Sequence, residues 1–182
     1  YSGQDAEVGG NIMVLCTSDN GGKSFSSCTA VVEHPDPSCR IYDPNLWLDP
    51  DGRLWMFYTQ ARGFNDGRSG VWAVICDDPD ADELTWSLPR RIANGIMMNK
   101  PLITKNKEWL FPCAIWCDTS GSIPAERHGL ENEQFSNVYS SLDKGKTISL
   151  KGRADVPNRS FDEHMLVEKK DGTLWMLVRT FD

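Results

Sequence analysis

The chain has 182 residues, is 40% apolar and 25% charged, and carries a formal net charge of −7. Such a length and apolar content suffice for a sizeable core and exclude a disordered chain. An acidic chain with scattered Lys and Arg is a poor partner for nucleic acid or an anionic membrane surface, and no stretch reaches the ~20 apolar residues of a membrane helix.

In chain order, short apolar segments bounded by turn residues predict strands over 11–17, 53–59, 70–76, 108–116, 137–141 and 173–180. None of them shows a sustained 3.6-residue period. The expectation is an all-β chain whose loops carry the Pro and the charge. Tyr1 to Gly10 reads neither as a signal peptide nor as a clean domain start, and 177–182 still reads as a strand where the sequence stops. An internal piece of a longer protein is therefore expected.

The six cysteines are Cys16, Cys28, Cys39, Cys76, Cys113 and Cys117. None forms a C-x-x-C and no His stands at ligand spacing, so no metal site is expected. They read as small buried hydrophobes, which an exported chain could also pair. Asn158-Arg159-Ser160 fits the glycosylation pattern, which carries meaning only in a secretory setting.

Two markers recur at about 60 residues. Ser18-Asp19-Asn20-Gly21-Gly22-Lys23-Ser24-Phe25 closes one strand pair, and Ser141-Leu142-Asp143-Lys144-Gly145-Lys146-Thr147-Ile148 closes another. The stretch from Cys76-Asp77-Asp78-Pro79 to Leu84-Thr85-Trp86-Ser87 is a stretched version, and the anchors Phe25, Trp86 and Ile148 lie 61 and 62 residues apart. The second marker is Asp51-Gly52-Arg53-Leu54-Trp55-Met56, then Lys107-Glu108-Trp109-Leu110-Phe111, then Asp171-Gly172-Thr173-Leu174-Trp175-Met176. Two independent markers with one period predict a repeat array. In the first marker, Asp or Asn oxygens should accept backbone N–H bonds across a hairpin turn, and Gly should take the positive φ. The terminal aromatic or apolar residue should plug the layer between sheets.

The pattern S-x-D-x-G-x-T-W resembles the Asp box (BNR repeat) of the sialidase, or neuraminidase, superfamily. Asn20 stands in place of the usual Asp and Ile148 in place of the aromatic. The resemblance covers nearly the whole chain through its repeat layout. It implies a sialidase-type β-propeller, six-bladed when complete. Residues 1–182 would hold about three blades as one partial domain, with blade ends near 25, 87 and 148 and a fourth blade beginning near 162. The boxes would lie at the blade rim and carry no catalysis. A half ring leaves apolar blade faces uncovered, so the 182-residue piece is expected to be poorly stable alone, with a midpoint no higher than ordinary mesophile values.

The same resemblance implies an exo-α-sialidase-like glycoside hydrolase acting on terminal acidic sugars of glycans. In that family three Arg clamp the substrate carboxylate, an Asp is the general acid/base, a Tyr attacks the anomeric carbon and a Glu withdraws its proton. Arg suits this work because its fork matches a carboxylate at any working pH, and a neutral Tyr avoids repelling an anionic substrate. Asp162-Glu163-His164-Met165-Leu166-Val167-Glu168, followed across Asp171-Gly172 by a strand reaching Arg179, is similar to the family segment with a Glu opening one strand and an Arg on the next. It implies Glu163 as the partner of the Tyr and Arg179 as the second Arg. Asp5 falls where the family places its acid/base loop, with Glu7 a near competitor. The Tyr and the remaining Arg would lie outside the chain. Arg40, in Cys39-Arg40-Ile41-Tyr42-Asp43-Pro44, sits in the wrong repeat for the first Arg and takes no role.

Other features leave alternatives open. His164 beside Glu163 is unexpected for a sialidase and would suit proton transfer. Sialidase-like propellers include polysaccharide lyases that cleave next to a uronic acid, and there His164 would be the base, with Arg159 and Lys100 neutralising the uronate. Asn99 and Lys100 stand near a blade entrance. His34 and His128 read as loop residues. A non-catalytic glycan-binding propeller is the third reading. All three share an acidic glycan as ligand and none requires a cofactor. Linkage specificity, oligomeric state and compartment are not legible in the sequence.

Overall fold

The computed structural model describes residues 7–63, 65–116, 129–159 and 161–181. The chain is all-β. Among the described residues twelve strands run in sequence as β1 (Met13–Leu15), β2 (Thr29–Val32), β3 (Cys39–Leu48), β4 (Leu54–Arg62), β5 (Gly70–Cys76), β6 (Arg90–Asn94), β7 (Leu102–Ile103), β8 (Trp109–Ala114), β9 (Ser136–Ser141), β10 (Ser149–Ala154), β11 (Met165–Glu168) and β12 (Leu174–Leu177). One 3₁₀ turn, Glu131–Glu133, is the sole helical element among the described residues. No described helix is long and apolar enough to cross a membrane.

Among the described residues the strands pair with their sequence neighbours. β3-β4-β5-β6 and β7-β8-β9-β10 form four-stranded antiparallel meanders, and β1-β2 and β11-β12 form two-stranded hairpins. No sheet is closed. The phase is regular: if each full sheet has strands one to four, the chain reads as strands three-four, one to four, one to four, then one-two.

The sheets stack face to face through alternate side chains. Trp55, Phe57, Val71, Ala73 and Ile92 of the β3–β6 sheet meet Trp109, Phe111, Cys113 and Tyr139 of the β7–β10 sheet in one buried cluster. Trp47 stands edge-on to Trp109 with ring centroids 4.8 Å apart, a favoured aromatic geometry. On the other face of the β3–β6 sheet, Ile41, Met56, Tyr58 and Val74 pack with Met13 and Val32 of the first hairpin. A sheet buried on both faces explains why β5 reads as a nearly continuous apolar run.

Two families of turns share one end of the stack. The turns from first to second strand use the same pair of backbone bonds three times. Asp49, Thr104 and Lys169 donate their N–H to the carbonyls of Arg53, Glu108 and Thr173, and accept from Gly52, Lys107 and Gly172. These last three residues all have positive φ (84°, 66° and 87°), so Lys107 holds a conformation that elsewhere falls to glycine. The second strand marker is thus a structural repeat. In the β3–β4 turn, Asp49 also accepts the Arg53 and Trp55 side-chain N–H bonds, each at 2.8 Å.

The turns from third to fourth strand hold the box motif. In the first, Gly22 N–H donates to Ser18 Oγ (2.9 Å) and Ser24 N–H to Asn20 Oδ1 (3.1 Å). In the last, Gly145 N–H donates to Ser141 Oγ and Thr147 N–H to Asp143 Oδ1, both at 2.8 Å. Donors and acceptors correspond residue for residue, so Asn20 does fill the carboxylate's place. Asp143 also accepts hydrogen bonds from the Ser141 and Thr147 hydroxyls; the bonds from Thr147 above all hold its carboxyl down to about 2. The stretched middle version keeps the hairpin end: Ser87 N–H donates to the Ile75 carbonyl and Ile75 N–H to Ser87 Oγ, as Ser26 and Thr17 do in the first hairpin.

Two expectations need correction. Phe25 plugs no layer: it is 64% exposed, because no described residue packs a sheet over it, whereas Trp86 and Ile148 do pack on cores. The described cysteines are of two kinds, and Cys117 lies outside the described residues. Cys39, Cys76 and Cys113 are buried thiols, but Cys16 and Cys28 are disulfide-bonded across the first hairpin, with Cα atoms 4.6 Å apart. The hairpin brings them together at the ends of its two arms.

Candidate functional site

The opposite end of the stack gathers the starts of the first strands and the ends of the second strands. In β3, Asn45 faces Phe57, and in β11, Met165 faces Leu177. Two residues before Asn45 and Met165 stand Asp43 and Glu163, so the same level of two sheets carries an acid, and Asn99 stands three residues before β7 of the sheet that separates them in sequence.

Glu163 and Arg179 face each other across the β11–β12 hairpin, with Glu163 Oε1 and Arg179 Nη1 2.7 Å apart and both side chains about half exposed. The pairing follows from the hairpin register, since Glu163 precedes Met165 by two residues and Arg179 follows Leu177 by two. Asn99 Nδ2 donates to the carbonyls of Glu163 (2.9 Å) and His164 (3.1 Å), tying the start of β11 to the segment before β7. Lys100 is exposed. With Met13, Val14 and Pro44 it lines a cavity of about 390 Å³ beside the same sheet end.

Beneath this surface lies a rigid polar layer. His164 is 1% exposed, and its Nε2 lies 2.8 Å from the Asn137 carbonyl. Burial lowers its pKa, opposed by carbonyls at Asn137 and Asp162 and by the Asp162 carboxylate. Arg159 is buried, and its Nη1 donates to both Asp162 oxygens (2.9 and 2.8 Å) and to the Ile115 carbonyl (3.1 Å). Ser136 Oγ donates to Asp162 Oδ2 at 2.6 Å. His164 and Arg159 are thus enclosed by protein partners, an arrangement that suits supporting the Glu163 segment better than meeting a uronate.

Asp5 lies outside the described residues. Its near competitor Glu7 forms an ion pair with the buried Arg40 at 3.0 Å, and the Arg40 guanidinium lies 3.8 Å over the Tyr42 ring. Asp43 follows in the same strand with a left-handed φ of 52°. The β3–β4 register slips there, between Tyr42 and Asn45. Burial pushes the Asp43 carboxyl up to about 6, Arg40 opposes this, and the charges of Glu7 and Glu163 add to it. Glu7, Arg40, Asp43, Glu163 and Arg179 therefore form one electrostatic neighbourhood. Sequence reading gave Asp43 no role. The available signal was Asp-Pro interrupting an otherwise strand-forming run.

No group of three or more His, Cys, Asp or Glu among the described residues is placed to hold a metal ion. No protein-family model matches the chain, and no curated protein matches it.

Proposed function

We propose that this chain belongs to a β-propeller of stacked four-stranded sheets that acts as an exo-α-sialidase-like glycoside hydrolase on terminal acidic sugars. The observation that carries the reading is the accessible Glu163–Arg179 pair, 2.7 Å apart at the sheet end where the first strands begin. A guanidinium with N–H groups open to solvent can take a substrate carboxylate in its fork. A neighbouring carboxylate can withdraw a proton from a nucleophile at the anomeric carbon. The Asn99 bonds fix the backbone of Glu163 and so hold the pair in place.

The uncovered apolar faces support the propeller arrangement. Trp55 is 0% exposed between sheets, yet Trp175, at the same position after its turn, is 62% exposed beside Leu177 at 69%. A further sheet stacked there would bury them, as the β7–β10 sheet buries Trp55.

The test is release of a fluorogenic leaving group from an α-sialoside by the intact protein, wild type beside Glu163→Gln. The reading expects turnover that falls by about 10²–10⁴-fold in the variant. Unchanged turnover would discard Glu163, and a folded but inactive wild type would discard the hydrolase in favour of a glycan-binding or lyase propeller.

A further inference from the structure

We propose that Asp43 is the proton-donating carboxyl of this site; the proposal rests on the hydrolase reading above and adds a catalytic residue to it.

Asp43 is built into an unfavourable place. A non-glycine residue at φ 52° inside a ten-residue strand is strained. The slip in register that accommodates it turns the residue out of the regular ladder. Strained backbone of this kind persists only where the surroundings over-determine it. Here they include Ile41 and Tyr42, which are buried at the preceding positions, whereas Pro44 adds to the strain, since a proline pushes the residue before it toward extended backbone.

The side chain is equally poorly accommodated as an anion. Asp43 Oδ2 is buried and has no hydrogen-bond partner. A buried carboxylate oxygen without a donor favours the neutral acid. Nearby charges divide two against one: Glu7 and Glu163 oppose ionisation, and Arg40, already paired with Glu7, favours it. The outcome, an ionisation near 6, suits a group that gives a proton and takes it back close to neutral pH.

The carboxyl also has somewhere to act. With Asn11, Ile12, Met13 and Tyr42, Asp43 lines a cavity of about 270 Å³ between β1 and β3. Asn11 is 3% exposed. Its Oδ1 accepts the Val8 N–H at 3.1 Å, which leaves its Nδ2 as a buried donor with no partner. One unpartnered donor and one unpartnered acceptor thus border the same space, and Asp43 lies within reach of the charge of Glu163, the acid that the reading already places at the substrate.

The step balances with water as co-reactant. The Asp43 O–H bond breaks as the bond between the anomeric carbon and the glycosidic oxygen breaks. The bonding pair goes to that oxygen, which takes the proton and leaves as an alcohol. Water then supplies hydroxyl to the anomeric carbon and returns a proton to the Asp43 carboxylate.

The test uses the intact protein with two α-sialosides, one with an acidic phenol leaving group and one with an alkyl alcohol. Asn is the variant of choice, because it matches Asp in shape and tolerates the left-handed backbone; circular dichroism and thermal melting confirm its fold. Asp43→Asn is expected to lose about 10²–10⁴-fold on the alkyl sialoside, to lose under about tenfold on the phenyl one, which leaves without a proton, and to lose the basic limb of the pH–rate profile. Equal losses on both substrates with the limb retained would overturn Asp43 while the hydrolase stands, as would no loss on either. Should Asp43→Asn fail to fold, Asp43→Glu is read on the same pair, and a basic limb left unmoved overturns the assignment. No turnover of either substrate by wild type would instead remove the hydrolase reading, and Asp43 with it.

Discussion

The two ends of the sheet stack are built on opposite terms. At the turn end, backbone and side-chain groups are matched: Ser18 with Gly22, Ser141 with Gly145, Asp143 with Thr147, and Asp49 with Arg53 and Trp55. At the strand-start end, Asp43 Oδ2 and Asn11 Nδ2 are buried without partners, Asp43 is strained, and Glu163 and Arg179 face solvent. Repetition with full satisfaction marks a scaffold. Strain with unmet polar groups, in the same fold, marks the place where a ligand would complete the structure.

The largest expected effect at the turn end is Trp55→Ala. The side chain is fully buried between two sheets, so the variant should lose about 3–5 kcal/mol in denaturant unfolding; a loss under about 1 kcal/mol would show that the sheets do not pack through it. Gly145→Ala comes next. Its Cβ would sit 2.7 Å from Trp55 and 3.1 Å from Trp109, and its φ is 81°. A drop of about 2–3 kcal/mol is expected, with a changed near-ultraviolet tryptophan signal. Ser141→Ala leaves the Gly145 N–H without its acceptor and should cost about 1–2 kcal/mol in the same assay.

His164 sharpens the comparison through pH. Its folded pKa lies below the ordinary 6.5, so the unfolded chain takes up the proton first as pH falls. Its contribution is fully present above about 6.5 and is lost as pH falls from there toward the folded value. The Tm difference between wild type and His164→Gln should therefore shrink between pH 7.5 and 5.5; a constant difference would mean that His164 is not held neutral. The smallest effect is a gain. Lys107→Gly relieves a left-handed lysine at φ 66° and should stabilise by up to about 1 kcal/mol, and a loss would deny the equivalence of Lys107 with Gly52 and Gly172.

Much of the turn end was legible in the sequence because its chemistry is local. Ser18 and Ser141 announce their turns within eight residues, and Asp51-Gly52 and Asp171-Gly172 mark theirs directly. Strands β4, β5, β8 and β9 followed from apolar runs. β3 escaped because Asp43-Pro44 and Asn45 look like a turn, and β6, β7 and β10 because they are short or polar. The Glu163–Arg179 pairing could be read across a tight hairpin. The enclosure of His164 and Arg159 could not, since it depends on Asn137 and Ile115, 27 and 44 residues away in sequence. Asp43 was missed for the same reason: beyond Arg40 in its own strand, its environment is assembled from Glu7 and Glu163, which only the tertiary fold brings to it.

The most direct test sets one residue from each end against the other: α-sialoside turnover per folded molecule, and Tm, for Glu163→Gln and Ser141→Ala. Glu163→Gln should abolish most turnover and barely move Tm, because an exposed ion pair contributes little to stability. Ser141→Ala should lower Tm and leave turnover per folded molecule unchanged. Turnover lost in Ser141→Ala at full folding, or kept in Glu163→Gln, would contradict the division of the molecule into a scaffold end and a reacting end.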